Sequence, residues 1–135
     1  MFTLPQTIRF QHCDPAGIVF YPRYFEMLNL TVEHFFEDRL EASFNHLHQQ
    51  LRLGVPTVRI DTEFRAASRL EDVVDFDLRL IRLGRSSATL SVEGRCEEET
   101  RLNAEIVLVA IDMDTRKARR WPDGLRAKLQ EQLEA

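Results

Sequence analysis

The sequence predicts an α+β fold in which one curved antiparallel sheet wraps around a single long central helix, with a further helix at the C-terminus. Three observations predict it. An apolar pattern of helical period fills residues 23–40, the period changes to alternation from residue 56 onward, and the alternating runs are separated by short turns. Sequential strands with short connections imply an antiparallel meander. A sheet with one apolar face must bury it, and the long helix is the partner at hand.

The elements follow in order. Residues 6–11 read as a strand with Ile8 and Phe10 on one face. Over residues 23–40, Tyr24, Met27, Leu28, Val32, Phe35, Phe36 and Leu40 recur at helical steps, and Pro22 suits a first helical position because its missing N–H costs nothing there. A second, more polar helix is expected over 41–52, ended by Gly54 and blocked by Pro56. Strands are expected at 56–67, 72–83, 86–96 and 103–112, with turns at 83–86 and 97–101. The last strand is apolar on both faces through Ile106, Val107, Leu108 and Val109, as a central strand would be. The sheet's other face then needs cover, so self-association as a dimer or tetramer is expected, through the sheet or its edge. Leu125, Leu129 and Leu133 mark a final helix over 123–134.

A length of 135 residues suits one domain, 1–135, able to hold a core without metal or disulfide. With 44% hydrophobic and 30% charged residues, neither disorder nor a membrane class is favoured. No apolar run reaches spanning length, and Met1-Phe2-Thr3-Leu4-Pro5 lacks the build of an export signal, so a cytoplasmic location is expected. Cys13 and Cys96 lack metal-ligand spacing and read as free thiols. A net charge of −4 argues against a nucleic-acid partner, and the basic run Arg116, Lys117, Arg119, Arg120 reads as a solvated turn.

The chemistry concentrates in His12-Cys13-Asp14-Pro15-Ala16-Gly17-Ile18-Val19-Phe20-Tyr21-Pro22-Arg23-Tyr24-Phe25. Backbone donors at Tyr21 and beyond point out of the helix start, a place for an anion or a polarised carbonyl oxygen. Asp14 sits on a loop bent by Pro15 and Gly17, which can fold back to place a carboxylate on the other side of one small substrate group. The same residues fit a plain turn in which Asp14 caps nearby amides. His12 reads as a hydrogen-bonded neighbour and Cys13 as an inert thiol. His46 and His48, two apart on a helix, face different sides, so no metal site is expected. Neither a Gly-x-Ser-x-Gly elbow nor a glycine-rich phosphate loop is present. Phe20 and Asn29 flank the proposed carbonyl site, while Glu33 and the run of Glu97, Glu98 and Glu99 read as solvated.

The element order, with Phe10-x-x-x-Asp14-Pro15-Ala16-Gly17-Ile18-Val19-Phe20-Tyr21-Pro22-x-Tyr24, resembles the hotdog-fold acyl-CoA thioesterases of the 4-hydroxybenzoyl-CoA thioesterase family. Likeness in element order covers nearly the whole chain; at the residue level it is concentrated between Arg9 and Asn29, with echoes at Phe64, Asp72-Val73 and Arg85 to Ser87. The resemblance implies that Asp14 acts on the thioester carbonyl directly or through water, and that the Tyr21 N–H binds the carbonyl oxygen. It implies a substrate held at a dimer interface through Gly17, Phe20 and Asn29, with Arg85 and Ser86 toward the coenzyme A phosphates, aided by Arg82 or other arginines. Asn29 stands where the 4-hydroxybenzoyl enzyme has an aspartate. The expected function is hydrolysis of an aromatic or short-to-medium acyl-CoA, without metal or cofactor, coenzyme A entering as part of the substrate. A non-hydrolytic acyl-CoA or acyl-carrier binding protein on the same scaffold is the alternative.

Overall fold

Pro22 starts the helix that the other elements surround. In the computed structural model, which describes residues 1–134, the elements are β1 (Phe2–Thr7), α1 (Pro22–Arg39), α2 (Phe44–Gln49), β2 (Leu53–Gly54), β3 (Thr57–Phe64), β4 (Val73–Leu83), β5 (Ser87–Cys96), β6 (Glu99–Val109), β7 (Ile111–Asp112) and α3 (Asp123–Gln132). Five strands form one antiparallel sheet in the order β1-β4-β5-β6-β3, and β2 pairs with β7. The sheet curves around α1, the hotdog arrangement. Every position of the expected helical stripe, from Tyr24 to Leu40, is buried. It packs among Val74, Phe76, Leu78 and Leu80 of β4, Leu90 and Val92 of β5, and Leu102, Ile106 and Leu108 of β6. Among the described residues no helix is long and apolar enough to cross a membrane.

Several local expectations shift, each for a physical reason. The first strand lies at Phe2–Thr7 rather than 6–11; Pro5 is tolerated because β1 is an edge strand. Phe10 falls instead in a 3₁₀ turn, Phe10–His12, and is 84% exposed. The second helix covers only Phe44–Gln49, because Glu41 adopts φ 53° and Ser43 caps a new start, its Oγ accepting from the His46 N–H at 3.2 Å. Arg52, not Gly54, takes the left-handed turn. Gly54 lies in β2, where an added Cβ would sit 3.0 Å from Ile111 and Met113 side-chain atoms.

Only β4-β5-β6 form the expected meander; β3 lies beyond β6, so residues 65–72 must cross the end of the sheet to reach β4. The β5–β6 turn is confined to Glu97 and Glu98, with Glu97 at φ 56°, which puts Thr100 and Arg101 inside β6. That strand is uniformly apolar on its core side from Leu102 to Leu108 and mixed on the other. Its outer side carries Asn103 and Glu105 beside the half-buried Val107 and Val109. The last helix stops at Gln132, leaving Leu133 outside it and exposed.

Gly94 on β5 faces the core, and a Cβ there would collide with the fully buried Leu102 side chain and press on Val74. Gly94→Ala is therefore expected to lower unfolding stability by about 1–3 kcal/mol, read as a reduced urea midpoint at unchanged m-value.

Candidate active site

Asp14, Pro15 and Gly17 occupy the first, second and fourth positions of a tight turn, the places where those residue types stabilise a type I turn. The Gly17 N–H donates to the Asp14 carbonyl at 2.9 Å, and Gly17 adopts φ 79°, a conformation glycine adopts without strain. An added Cβ at Gly17 would meet nothing, so the requirement there is conformational. The arms of the turn pair as a small hairpin: Asp14 N–H donates to Ile18 O, Cys13 bridges Val19, and Phe20 N–H donates to His12 O. The expected fold-back is thus a hairpin running into α1, with Asp14 two residues, about 7 Å of extended chain, from the His12–Phe20 pair beside the helix start.

One oxygen of Asp14, Oδ1, accepts from the Ala16 N–H at 2.9 Å, the capping contact that a plain turn would make. Oδ2 has no hydrogen-bond partner among the described residues. At the helix start Arg23 N–H donates to Phe20 O and Tyr24 N–H to Tyr21 O, while Pro22 has no N–H. No side chain caps this end, and among the described residues nothing accepts from the Tyr21 N–H. That amide keeps the positive end of an 18-residue helix behind it. Beside it stands an aromatic cluster missed in the sequence. Phe64, 45% exposed at the end of β3, contacts the rings of Tyr21, Tyr24 and Phe25 at centroid distances of 6.0, 5.7 and 6.3 Å, and Phe20 stacks edge-on against Tyr21 at 5.6 Å.

Asn29 lies two helical turns further on and donates to Glu33 Oε1 at 3.0 Å. Both line an open groove of about 290 Å³ with Gln11, His12, Glu26 and Leu30. His12 is a hydrogen-bonded neighbour, as expected. Its Nδ1 accepts from the Arg9 N–H at 2.7 Å, and burial lowers its pKa, with Glu26 opposing and Arg23 and Arg9 adding. The imidazole is accordingly neutral at pH 7, with its proton on Nε2. The Cys13 thiol donates to the Arg9 carbonyl at 3.6 Å and packs against the core.

Arg85 and Ser86 lie elsewhere, in the turn after β4. There Arg85 lines a cavity of about 320 Å³ with Arg120 and Arg126, while Ser86 lies outside that lining and its carbonyl accepts from the Ala110 N–H. The turn is tied to the start of α3 by Trp121 N–H to Arg85 O, Trp121 Nε1 to Ser87 O and Arg126 Nη1 to Gly84 O, all between 2.9 and 3.1 Å. Arg82 is not part of it; it pairs with Glu105 at 2.9 Å. Arg120 came from a run that reads as a solvated turn, and Arg126 from a helix whose apolar stripe was its only legible feature.

A curved antiparallel sheet wrapped around one long helix defines an α+β protein of the hotdog class. A sequence model of the thioesterase-like superfamily matches residues 8–129, and the chain belongs to that superfamily. Among solved structures, the chain is similar to a thioesterase-superfamily protein from Jannaschia sp. CCS1, with TM-score 0.92 and 22% identity over 99% of this chain and 94% of that one. A Staphylococcus aureus hypothetical protein in complex with CoA aligns with TM-score 0.91 and 17% identity, covering 99% and 86% of the respective chains. A 1,4-dihydroxy-2-naphthoyl-CoA thioesterase from Synechocystis aligns with TM-score 0.88 and 17% identity over 96% of each chain. No match was found among curated proteins.

Proposed function

We propose that this protein hydrolyses an acyl-CoA thioester, with Asp14 as base or nucleophile and the Tyr21 N–H as the donor to the carbonyl oxygen. The observation that carries the reading is a pair of unspent groups on one short segment, 14–21: a carboxylate oxygen without a partner and a helix-start amide without an acceptor among the described residues. The carboxylate takes a proton from water as the water oxygen bonds to the acyl carbon, or bonds to that carbon itself before water resolves the anhydride. In either course the carbon–sulfur bond breaks, and the coenzyme A thiolate leaves and takes up a proton. Charge growing on the carbonyl oxygen meets the Tyr21 N–H, a contact type commonly worth about 3–4 kcal/mol in the transition state. The aromatic rings of Phe20, Tyr21 and Phe64 suit an aromatic or short acyl group, as in the 4-hydroxybenzoyl-CoA family. The thioesterase-like superfamily and a CoA-bound neighbour support a coenzyme A ester as substrate.

Self-association belongs to the same proposal. Ile60 and Phe64 of the edge strand β3 stand opposite Ile106 and Leu102, on the concave face, yet both are exposed, as is Val58. An open edge with apolar side chains invites pairing with the same strand of a second copy.

Release of free thiol from a panel of aromatic and aliphatic acyl-CoA esters tests the reading; binding without turnover on every ester would replace it with the non-hydrolytic one. That alternative has one contact in its favour, the Ala16 N–H already held by Asp14. The arginine cavity gives a separate prediction. Arg85→Ala and Arg120→Ala are each expected to raise KM for coenzyme A esters about tenfold, the scale of one charge-assisted hydrogen bond, and to leave short thioesters lacking the nucleotide unchanged. Arg82→Ala, at a position outside the lining of that cavity and paired with Glu105, is the control expected to change neither.

A further inference from the structure

We propose that Arg101 is a positioning residue for this site: from β6 it fastens the 65–72 crossover, and that crossover holds the Asp14 hairpin. The inference rests on the hydrolytic reading for what is positioned, and on hydrogen bonds alone for how.

The crossover leaves β3 and passes the end of the β5–β6 hairpin before entering β4, so nothing in the ladder itself fixes it. Arg101 supplies the fixing from both its backbone and its side chain. Its carbonyl accepts from the Arg65 and Ala66 N–H groups at 2.8 and 3.2 Å. Its side chain, only 12% exposed, points Nη1 at Ala67 O (3.0 Å), Ser68 Oγ (3.1 Å) and Asp72 Oδ2 (2.8 Å). Two protons shared among three acceptors tie down the crossover at its middle and its end. Nε lies 2.7 Å from Glu99 Oε1 without hydrogen-bond alignment, so the hold comes through Nη1. Asp72 Oδ2 also accepts from the Arg69 N–H, which closes the segment on itself.

What the crossover touches next is the site. Ser68, fully buried, accepts from the Val19 N–H at 2.9 Å, and Arg69 bridges Ile18, so the second arm of the Asp14 hairpin is paired to it. Ile8, just ahead of the first arm, exchanges bonds with the other end: its N–H donates to Asp72 O and its carbonyl accepts from Glu71 N–H, both at 2.8 Å. Burial raises the pKa of the Tyr24 phenol, in the first turn of α1, with Ser68 and the Arg101 charge opposing. One guanidinium thus stands behind the carboxylate hairpin on two sides.

The test follows amide hydrogen exchange and kinetics in Arg101→Met, Arg101→Lys and Asp72→Asn. In Arg101→Met the Val19 and Ile8 amides are expected to exchange at least about tenfold faster while Leu90 and Ile106, in the sheet, keep wild-type rates. For an ester the wild type hydrolyses, kcat is expected to fall about tenfold or more with KM within about threefold. Arg101→Lys keeps the charge but a single nitrogen, and is expected to restore part of both. Asp72→Asn keeps the shape and removes the ion pair, so it reports the same direction if Arg101→Met fails to fold. Unchanged Val19 exchange, or faster exchange spread evenly through the sheet, would overturn the positioning role. A wild type that hydrolyses no ester would remove the hydrolytic reading and leave the exchange result to judge the clamp alone.

Discussion

Asp14→Asn is expected to lower kcat on any hydrolysed acyl-CoA by at least about 100-fold, with KM and thermal midpoint near wild type. The substitution separates the two roles that one side chain combines. Asp14 Oδ1 caps the Ala16 N–H, a task an amide oxygen performs equally well, so the turn through Pro15 and Gly17 survives. The unpartnered Oδ2 becomes an amide NH₂, which neither accepts a proton nor attacks a carbonyl carbon. A turn-only aspartate would therefore show no kinetic change, and a catalytic one a large change without loss of fold. Asp14→Ala removes the cap as well and is expected to combine the kinetic loss with a lower midpoint. Thiol release and a thermal melt on the same preparations read both.

Residues whose side chains obey a period were legible from sequence, and residues whose backbone departs from one were not. The α1 stripe and the alternation of Val74, Phe76, Leu78 and Leu80 against Asp75, Asp77 and Arg79 follow from burying one face. The hairpin was legible because Asp, Pro and Gly each fill a turn position that suits them. Pro5 hid β1, since a missing N–H argues against a strand unless the strand is known to be an edge. Glu41, Arg52 and Glu97 take left-handed turns without glycine, which no local pattern announces. Gly54 drew the helix end to itself although its small size serves contact with Ile111 and Met113. Arg101 reads along the chain as the last residue of a charged turn, 97–101. Only the crossover from β3, whose contacts lie 29 to 34 residues earlier in sequence, turns it into a buried fork. The Asp72 carboxyl there is held below the usual range by Arg101 first and the Arg69 N–H second. A lowered carboxylate pKa means stability present at neutral pH and lost as pH falls through that value, so acid should loosen this corner before the apolar core.

The second large effect concerns which chain supplies Arg85. Within one protomer, the Asp14 hairpin packs at the Val73 end of β4 through Ile8–Asp72 and Val19–Ser68, whereas Arg85 follows the Leu83 end. β4 has 11 residues, a span of about 35 Å. Antiparallel pairing of two β3 edges about a twofold axis reverses one sheet against the other and brings the arginine end of one chain toward the hairpin end of its mate. An equal mixture of Asp14→Asn and Arg85→Ala chains, unfolded and reassembled together, is then expected to recover about a quarter of wild-type activity at low acyl-CoA concentration. Half of the dimers would be mixed, and each mixed dimer would carry one site with both groups intact and one with neither. If each chain served its own carboxylate, every site in the mixed dimer would carry a lesion, and activity would equal the average of the two parents. A result at that average would confine the substrate to a single subunit. Ile60→Arg places a charge on the exposed edge and is expected to convert dimer to monomer in sedimentation, removing the recovery while leaving the hairpin intact.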